Sequence, residues 1–119
     1  MMTAVNYTEM VMTLAKPGED IIESLTPQKA HLLHMAVGIA GEAGELLDAI
    51  KKHVVYNKPL DYRNVIEELG DLEFYMEGLR AKLAILREET LVANIAKLEV
   101  RYKGLTYSDK AAQDRADKA

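Results

Sequence analysis

The sequence predicts an all-α protein, built as an antiparallel bundle of four main helices. Apolar residues recur at intervals of three and four along several segments, which is the spacing of one helix face. Proline, glycine and capping residues separate these segments, and no stretch alternates polar and apolar residues as a strand does. The 119 residues are 49% hydrophobic and 29% charged, a composition typical of one globular domain.

The first half of the chain contains two predicted helices. The first covers residues 6–16 and ends at Lys16-Pro17-Gly18, because proline and glycine interrupt helices. The second begins at Thr26-Pro27, a hydroxyl cap followed by proline at the first helical position. Its apolar residues keep helical spacing as far as Val54, just before the break at residues 56–59.

The second half contains two more helices. Asp61 is suited to cap the third, whose apolar stripe extends to Leu86. The fourth covers residues 88–103 and ends at Gly104, because glycine commonly follows a helix C-terminus.

The remaining residues, 105–119, are expected to form a tail that docks or frays, with one helical turn after Ser108. Residues 1–119 are thus predicted to form a single domain. A chain of this length buries only about two-thirds of its unfolded surface, so a homodimer or homotetramer with a shared core is expected.

Composition and charge argue against several classes of protein. Without cysteine, the chain has no disulfide scaffold and no thiol chemistry. Nineteen acidic residues against fifteen basic ones disfavour binding to nucleic acid. The longest stretch without a charged residue, 30–41, is shorter than the roughly 20 residues of a membrane span. No basic residue precedes Lys16, so we expect no secretory signal and a cytoplasmic location.

Two pairs of acidic residues carry the chemical signal. Glu42 and Glu45 lie on the second predicted helix, and Glu68 and Asp71 lie on the third. A spacing of three places each pair on one helix face, although five such pairs occur in the chain and spacing alone decides nothing. Helical geometry also places Glu42 and Glu68 within the apolar stripes, where an unpaired carboxylate is costly. The alternative is a partly exposed acid, or one paired with Arg or Lys.

Four converging carboxylates repel one another unless cations neutralise them. Ligation by oxygen alone favours Mg²⁺, with Mn²⁺ as a substitute. Substrate phosphates often complete the coordination of Mg²⁺, so the pattern indicates phosphoryl chemistry. Residues 42–77 hold nine acidic and four basic residues, and a polyanionic substrate therefore requires the cation there.

Histidines and glycines on the second helix have competing explanations. His31 and His34 share the face of the acidic pair, but eleven residues correspond to about 16 Å along the axis, so structural roles are favoured over metal binding. Gly38, Gly41 and Gly44 each lower helix propensity by about 1 kcal/mol relative to alanine. They serve either close helix packing or room for metal, water or phosphate.

Basic and amide side chains supply the opposite charge. Asn94, Lys97 and Arg101 share one face of the fourth helix, where cations can neutralise phosphates and an amide can contact a base or sugar. Lys52 is a further phosphate candidate, or it pairs with Asp48. A solvated helix face is the alternative for the fourth helix.

Three motifs follow one another along the chain. They are Gly-Ile-Ala-Gly-Glu-Ala-Gly-Glu at 38–45, Glu-Glu-Leu-Gly-Asp at 67–71, and Asn-x-x-Lys-Leu-x-x-Arg-Tyr at 94–102. In this order and spacing they resemble the MazG-like all-α nucleoside triphosphate pyrophosphohydrolases. The resemblance covers residues 25–115. Two positions depart from the usual pattern, namely Glu73 in a normally aromatic-rich segment and Lys103 in place of a proline.

The resemblance implies a helical bundle assembled as a dimer or a dimer of dimers. It implies cleavage of a (deoxy)nucleoside triphosphate between the α and β phosphorus atoms, with guanine and pyrimidine bases both open. The implied metal-binding and catalytic residues are Glu42, Glu45, Glu68 and Asp71. The implied substrate-binding residues are Lys52, Asn94, Lys97, Arg101 and Tyr102. Two alternatives stay open: a non-catalytic helical self-association module, and a hydrolase of another phosphoanhydride.

Overall fold

Two long helices form the frame of the molecule. In the computed structural model, which describes residues 4–118, α3 spans Pro27–Val54 and α4 spans Tyr62–Lys82. Thr26 Oγ1 accepts a hydrogen bond from the backbone N–H of Lys29, and Asp61 Oδ1 accepts one from that of Asn64. Both predicted caps are confirmed. Residues 1–3 and residue 119, the end of the predicted tail, lie outside the described residues.

Helices α3 and α4 pack side by side and run in opposite directions. His31 near the start of α3 lies beside Gly78 near the end of α4, with Nε2 and the carbonyl oxygen 3.4 Å apart. Further along α3, Gly38 faces the ring of Tyr75. A Cβ at Gly38 would collide with that ring, and one at Gly78 would collide with the Met35 sulfur. Close helix packing is therefore the role of Gly38.

The N-terminal region forms two short helices. Helix α1 spans Tyr7–Leu14, close to the prediction, and Asn6 caps it by accepting a hydrogen bond from the N–H of Glu9. Helix α2, Gly18–Ser24, is absent from the sequence prediction, which treats Pro17 and Gly18 only as a stop. Proline also suits a helix start, and the acidic residues of the first turn complement the helix dipole.

Helix α4 ends earlier than its apolar stripe suggests. The stripe continues to Leu86, but Ala84 adopts φ 56° and the N–H of Ile85 donates to the carbonyl of Arg80 at 2.9 Å. This capping arrangement turns the chain out of the helix at Lys82. Apolar periodicity cannot reveal such a turn, because the residues beyond it remain apolar.

The C-terminal part of the chain folds back onto α5, which spans Arg87–Arg101. A 3-10 turn at Lys103–Leu105, helix α6 at Asp109–Asp114 and a second 3-10 turn at Ala116–Lys118 follow. Helix α5 ends two residues before the predicted position, and Gly104 then adopts φ 65° within the first 3-10 turn. The helical turn expected after Ser108 is confirmed as α6, with Ser108 as its cap.

One chain leaves much of its apolar surface uncovered. Helix α5 packs mainly against the segments that follow it, so α3, α4 and α5 do not close a bundle within one chain. The radius of gyration is 20.4 Å, whereas a compact domain of this length has about 13.5 Å. Of the residues that the structure describes, only Met35, Ala49 and Arg80 are buried. The all-α class is confirmed, with no strand among residues 4–118, and none of the described helices is both long and apolar enough to cross a membrane.

Candidate metal centre

Three carboxylates converge where α3 and α4 face each other. One oxygen each of Glu42, Glu68 and Asp71 lies within 4.8 Å of the other two. Glu42 and Glu68 are half-buried, whereas Asp71 is exposed. Two acidic pairs on antiparallel neighbouring helices meet in this way when each pair lies on the face toward the other helix. The structure thus brings together three of the four acids that the sequence singles out.

The buried oxygens of this cluster have no partner. Oε2 of Glu42 and Oε2 of Glu68 are both buried without a hydrogen bond. The ion pairs among residues 4–118 engage other acidic residues, so pairing with Arg or Lys does not explain these carboxylates. Buried polar atoms normally have a hydrogen-bond partner, and each one without a partner lowers the free energy of unfolding. A bound cation would satisfy both oxygens while the acids are ionised, and a proton shared between Glu68 and Glu42 is the other arrangement that does so.

The crowding of the acids changes their protonation. The pKa of Glu68 is raised from 4.5 to about 7, first because its protonated carboxyl hydrogen-bonds to Glu42, and then through burial. A hydrogen bond and the negative charge from Glu45 raise the pKa of Glu68 further. Glu45 is exposed and lies outside the triad, yet it faces Glu68 closely. All four predicted acids therefore lie close together between α3 and α4.

A groove of about 550 Å³ opens beside the acidic cluster. Within the described chain it is lined by α3 and α4 residues, namely Gly41, Gly44, Glu45, Asp48, Lys52, Asn64 and Glu68. A Cβ added to Gly41 or Gly44 would meet no atom within 4 Å. These two glycines border open space, whereas Gly38 on the same helix packs against α4. The two explanations left open by the sequence therefore apply to different glycines.

Two further polar residues line this groove. Asn64 lies one turn before Glu68 and is half-buried; sequence reasoning did not select it, although the spacing of four places both on one helix face. Lys52 lines the groove as predicted and also pairs with Asp48, with Nζ and Oδ2 3.1 Å apart. The ion pair with Asp48 is confirmed, whereas the phosphate-binding role of Lys52 stays a prediction.

The predicted substrate-binding residues of α5 do not line the groove of their own chain. Asn94 and Lys97 are exposed. Arg101 is half-buried and makes an ion pair with Asp117 in the C-terminal 3-10 turn. Tyr102 is half-buried, and its ring centroid lies 5.8 Å from that of Tyr107. Within one chain, these side chains belong to the packing of α5 against the tail.

His31 and His34 lie near the start of α3 and do not line the groove. His31 approaches the Gly78 carbonyl, and the ring of His34 meets that of Tyr75 edge-on at a centroid distance of 6.1 Å. Neither histidine belongs to the acidic cluster. Their contacts agree with the structural roles favoured from the sequence.

The unusual charge at Glu73 has a local partner. Glu73 Oε2 lies 3.7 Å from Nη2 of Arg80, and Glu77 Oε2 lies 3.1 Å from the same nitrogen. The Arg80 residue is only 8% exposed, and two carboxylates offset its buried charge. Glu73 is therefore accommodated without disturbing the acidic cluster.

An antiparallel helix pair with converging carboxylates beside an open polar groove offers the oxygen donors that hard divalent cations prefer. Residues 30–106 match the MazG nucleotide pyrophosphohydrolase domain. The match covers more than half of the chain and includes both acidic pairs and the α5 motif, so the protein belongs to this family. The chain matches no curated protein and no solved structure. Membership indicates nucleotide pyrophosphohydrolase activity in general.

Proposed function

We propose that the protein hydrolyses (deoxy)nucleoside triphosphates between the α and β phosphates, releasing a nucleoside monophosphate and pyrophosphate. Family membership supplies the reaction class. The observation that carries the proposal is the pair of buried, unpartnered oxygens of Glu42 and Glu68 beside an open groove. The groove volume lies within the range of small-molecule sites.

We propose Mg²⁺, with Mn²⁺ as a substitute, as the cofactor. Glu42, Glu45, Glu68 and Asp71 would hold it, since all four offer carboxylate oxygens, the donors that hard divalent ions prefer. The cation supplies positive charge that polarises phosphate oxygens and makes water more acidic. The unpartnered oxygens and the raised pKa of Glu68 support this assignment, because a cation held by the four acids would partner the oxygens and lower that pKa.

Residues of the groove supply the remaining chemistry. The reaction needs a water molecule that loses a proton as it attacks phosphorus in line with the departing pyrophosphate. Glu45 is suited to accept that proton, because it is exposed, lines the groove and lies beside Glu68. Lys52 lines the same groove and can offset the negative charge of the pyrophosphate. Gly41 and Gly44 leave space for the phosphates.

We propose that a second copy of the chain completes the site. One chain exposes 9925 Å², about 3,500 Å² more than a compact monomer of this mass. For two chains the excess is about 7,000 Å² in total, enough for the roughly 2,000–5,000 Å² or more that obligate dimer interfaces bury. In a homodimer, or in a homotetramer made of two dimers, α5 of the partner would bring Asn94, Lys97, Arg101 and Tyr102 to the groove. Within one chain, α5 packs mainly against the tail and not against the groove. A partner chain would therefore allow these residues to have the predicted role in substrate binding.

Two alternatives predict different products. A non-catalytic self-association module would release no pyrophosphate from any triphosphate. A hydrolase of another phosphoanhydride would act on a diphosphate or nucleotide-sugar, with products other than monophosphate plus pyrophosphate. The exposed apolar residues favour self-association, but they leave the unpartnered carboxylates unexplained.

A panel of the common ribo- and deoxynucleoside triphosphates tests the proposal and identifies the preferred base. Each is incubated with the protein and Mg²⁺, and the products are separated by anion-exchange chromatography. We expect monophosphate and pyrophosphate in equal amounts from at least one substrate, and no turnover when EDTA replaces Mg²⁺. Release of orthophosphate as the first product, or no turnover with any triphosphate, would contradict the proposal.

A further inference from the structure

A largely buried ion pair between Arg101 and Asp117 joins the C-terminal segment to α5. Arg101 Nε donates to Asp117 Oδ1 at 2.7 Å, and Arg101 Nη2 donates to Asp117 Oδ2 at 3.1 Å. The Asp117 side chain is 3% exposed and that of Arg101 is 17% exposed. Hydrogen bonding to Arg101 lowers the pKa of Asp117, so the carboxylate stays charged near neutral pH. A bidentate pair of this kind constrains the orientation of the guanidinium plane.

An ordered path brings Asp117 back to α5. The Tyr102 and Tyr107 rings lie together, and Ser108 Oγ accepts a hydrogen bond from the N–H of Ala111 at the start of α6. Helix α6 and the last 3-10 turn both pack against α5. The turn at Arg115, with φ 49°, reverses the chain so that Asp117 faces Arg101. The ion pair is thus part of a folded unit.

Asp117 does not engage the whole Arg101 guanidinium, which also interacts with the Tyr102 side chain. Arginine carries five N–H donors on three nitrogens, and the pair uses Nε and one N–H of Nη2. The two N–H groups of Nη1 keep a direction set by the fixed plane. Because the side chain is already ordered, a phosphate that binds there loses less conformational entropy.

We propose that Asp117 is a positioning residue, which holds the Arg101 guanidinium so that Nη1 can donate to a phosphate of the triphosphate. The inference rests on the proposed function, in which Arg101 contacts substrate. It makes substrate recognition depend on the C-terminal segment, beyond the family match at residues 30–106. The competing arrangement is a latch, in which substrate displaces Asp117 from Arg101. It would leave the Asp117 carboxylate buried and unpaired, which is strongly unfavourable.

A double-mutant cycle tests whether Asp117 acts through Arg101. We expect Asp117→Asn and Arg101→Ala each to raise KM for the triphosphate about tenfold with little change in kcat, since each weakens a charge-assisted contact to bound phosphate. The double variant should be no worse than Arg101→Ala alone. Asp117→Glu should restore much of the affinity. Glu88→Gln is the control, because Glu88 is exposed at the start of α5, more than three helical turns from Arg101, and its loss should leave KM unchanged.

Binding of inorganic tripolyphosphate with Mg²⁺, measured by calorimetry, supplies a readout that needs no turnover. Its dissociation constant should rise about tenfold in Asp117→Asn. Thermal melting of each variant, with assays well below the transition, separates positioning from loss of fold. If Asp117→Asn kept wild-type KM and dissociation constant, or if the two substitutions were additive, the positioning role would be wrong.

A lower KM in Asp117→Asn would instead identify a latch, and it too would overturn the positioning role. A wild-type chain that releases no pyrophosphate would contradict the proposed function alone, and the tripolyphosphate comparison would still decide the role of Asp117.

Discussion

At the scale of single residues, two carboxylate oxygens define the site. Oε2 of Glu42 and Oε2 of Glu68 are buried, face other acids and lack hydrogen bonds. Glu67, the residue before Glu68, is exposed. Its Oε1 lies 3.5 Å from Nε of Arg63, one helical turn earlier. Adjacent acids of the same helix thus have opposite environments, and this contrast provides a matched pair for mutagenesis.

Glu42→Gln and Glu68→Gln are each expected to lower pyrophosphate release at least about 100-fold, because each removes a charged ligand that the cation requires. Glutamine preserves the shape of the side chain, so the helical circular dichroism spectrum should be unchanged. Glu67→Gln is the control and should retain wild-type rates. Near wild-type turnover in either of the first two variants would contradict the assignment of the metal site.

The raised pKa of Glu68 predicts how the stability of the metal-free protein depends on pH. Its pKa is about 7 in the folded chain and near 4.5 when unfolded, so the folded state binds the proton more tightly. The resulting stabilisation is fully present below pH 4.5 and is lost as the pH rises through 7. We therefore expect the contribution of Glu68 to the melting temperature in EDTA to fall between pH 5 and 8.

Mg²⁺ should reduce the fall in melting temperature between pH 5 and 8, because the cation replaces the proton as the partner of Glu68. Glu68→Gln should remove both the contribution of Glu68 to the pH dependence and most of the response to Mg²⁺, whereas Glu67→Gln should keep both. The measurement is differential scanning fluorimetry across this pH range. A wild-type melting temperature that responds equally to Mg²⁺ at pH 5 and pH 8 would contradict this prediction.

At the scale of helices, α3 places different glycines on different surfaces. Gly38 meets the Tyr75 ring of α4, whereas Gly41 and Gly44 border the groove. A spacing of three falls about 60° short of a full turn, so successive positions move gradually around the helix. One glycine therefore sets the approach of the two helices, and the other two set the space beside the acids.

Alanine substitution separates these roles. Gly44→Ala should stabilise the helix by up to about 1 kcal/mol, because no atom lies near the added Cβ, yet it should raise KM about tenfold by filling the groove. Gly38→Ala should destabilise the fold by about 1–3 kcal/mol, because the Cβ collides with Tyr75. Urea denaturation and steady-state kinetics measure the two effects. An unchanged KM in Gly44→Ala would argue that substrate does not occupy this part of the groove.

At the scale of the whole molecule, one chain leaves much of its apolar surface exposed. Large apolar side chains remain exposed on the two long helices, among them Leu47 at 68%, Ile66 at 68% and Phe74 at 67%. The free energy of covering such surface drives association, since each Å² of apolar area removed from water contributes about 25 cal/mol. The proposed second copy would therefore stabilise the fold and complete the site together.

Mixed oligomers test whether the site is shared between chains. Glu42→Gln and Arg101→Ala chains are mixed, partly unfolded and refolded together, and assayed at a substrate concentration below KM. If acids and Arg101 come from different chains, a mixed dimer contains one intact site, and its activity should exceed that of either parent. Activity no higher than the average of the two separate variants would place both groups in the same chain.

Light scattering checks the assembly directly. We expect a mass at least twice the 13.3 kDa of one chain. Ile66→Asp should shift the protein toward the monomer and lower its activity in parallel, because it places a charge on the exposed apolar surface of α4. Arg63→Ala, on the same helix, is the control. A wild-type monomer that turns over substrate would refute the proposed assembly.

The sequence by itself determined the local features of this protein. The caps at Thr26, Asp61 and Ser108 and the approximate course of the main helices depend on residues within three or four positions of one another. The two acidic pairs could also be singled out locally, because Glu42 and Glu68 fall within the apolar stripes of their helices, whereas a spacing of three alone also fits three other pairs. The helix that begins at Gly18 was missed because Pro17 was interpreted only as a stop.

Only the tertiary structure decided which distant groups meet. It separated the packing glycine Gly38 from the groove glycines, added Asn64 to the groove and paired Arg101 with Asp117 sixteen residues away. It also showed that α5 packs mainly against its own tail. Such contacts depend on how complete helices turn, end and pack, and a displacement of one residue at a turn redirects every side chain beyond it. For that reason the acids could be chosen from the sequence, whereas their surroundings could not.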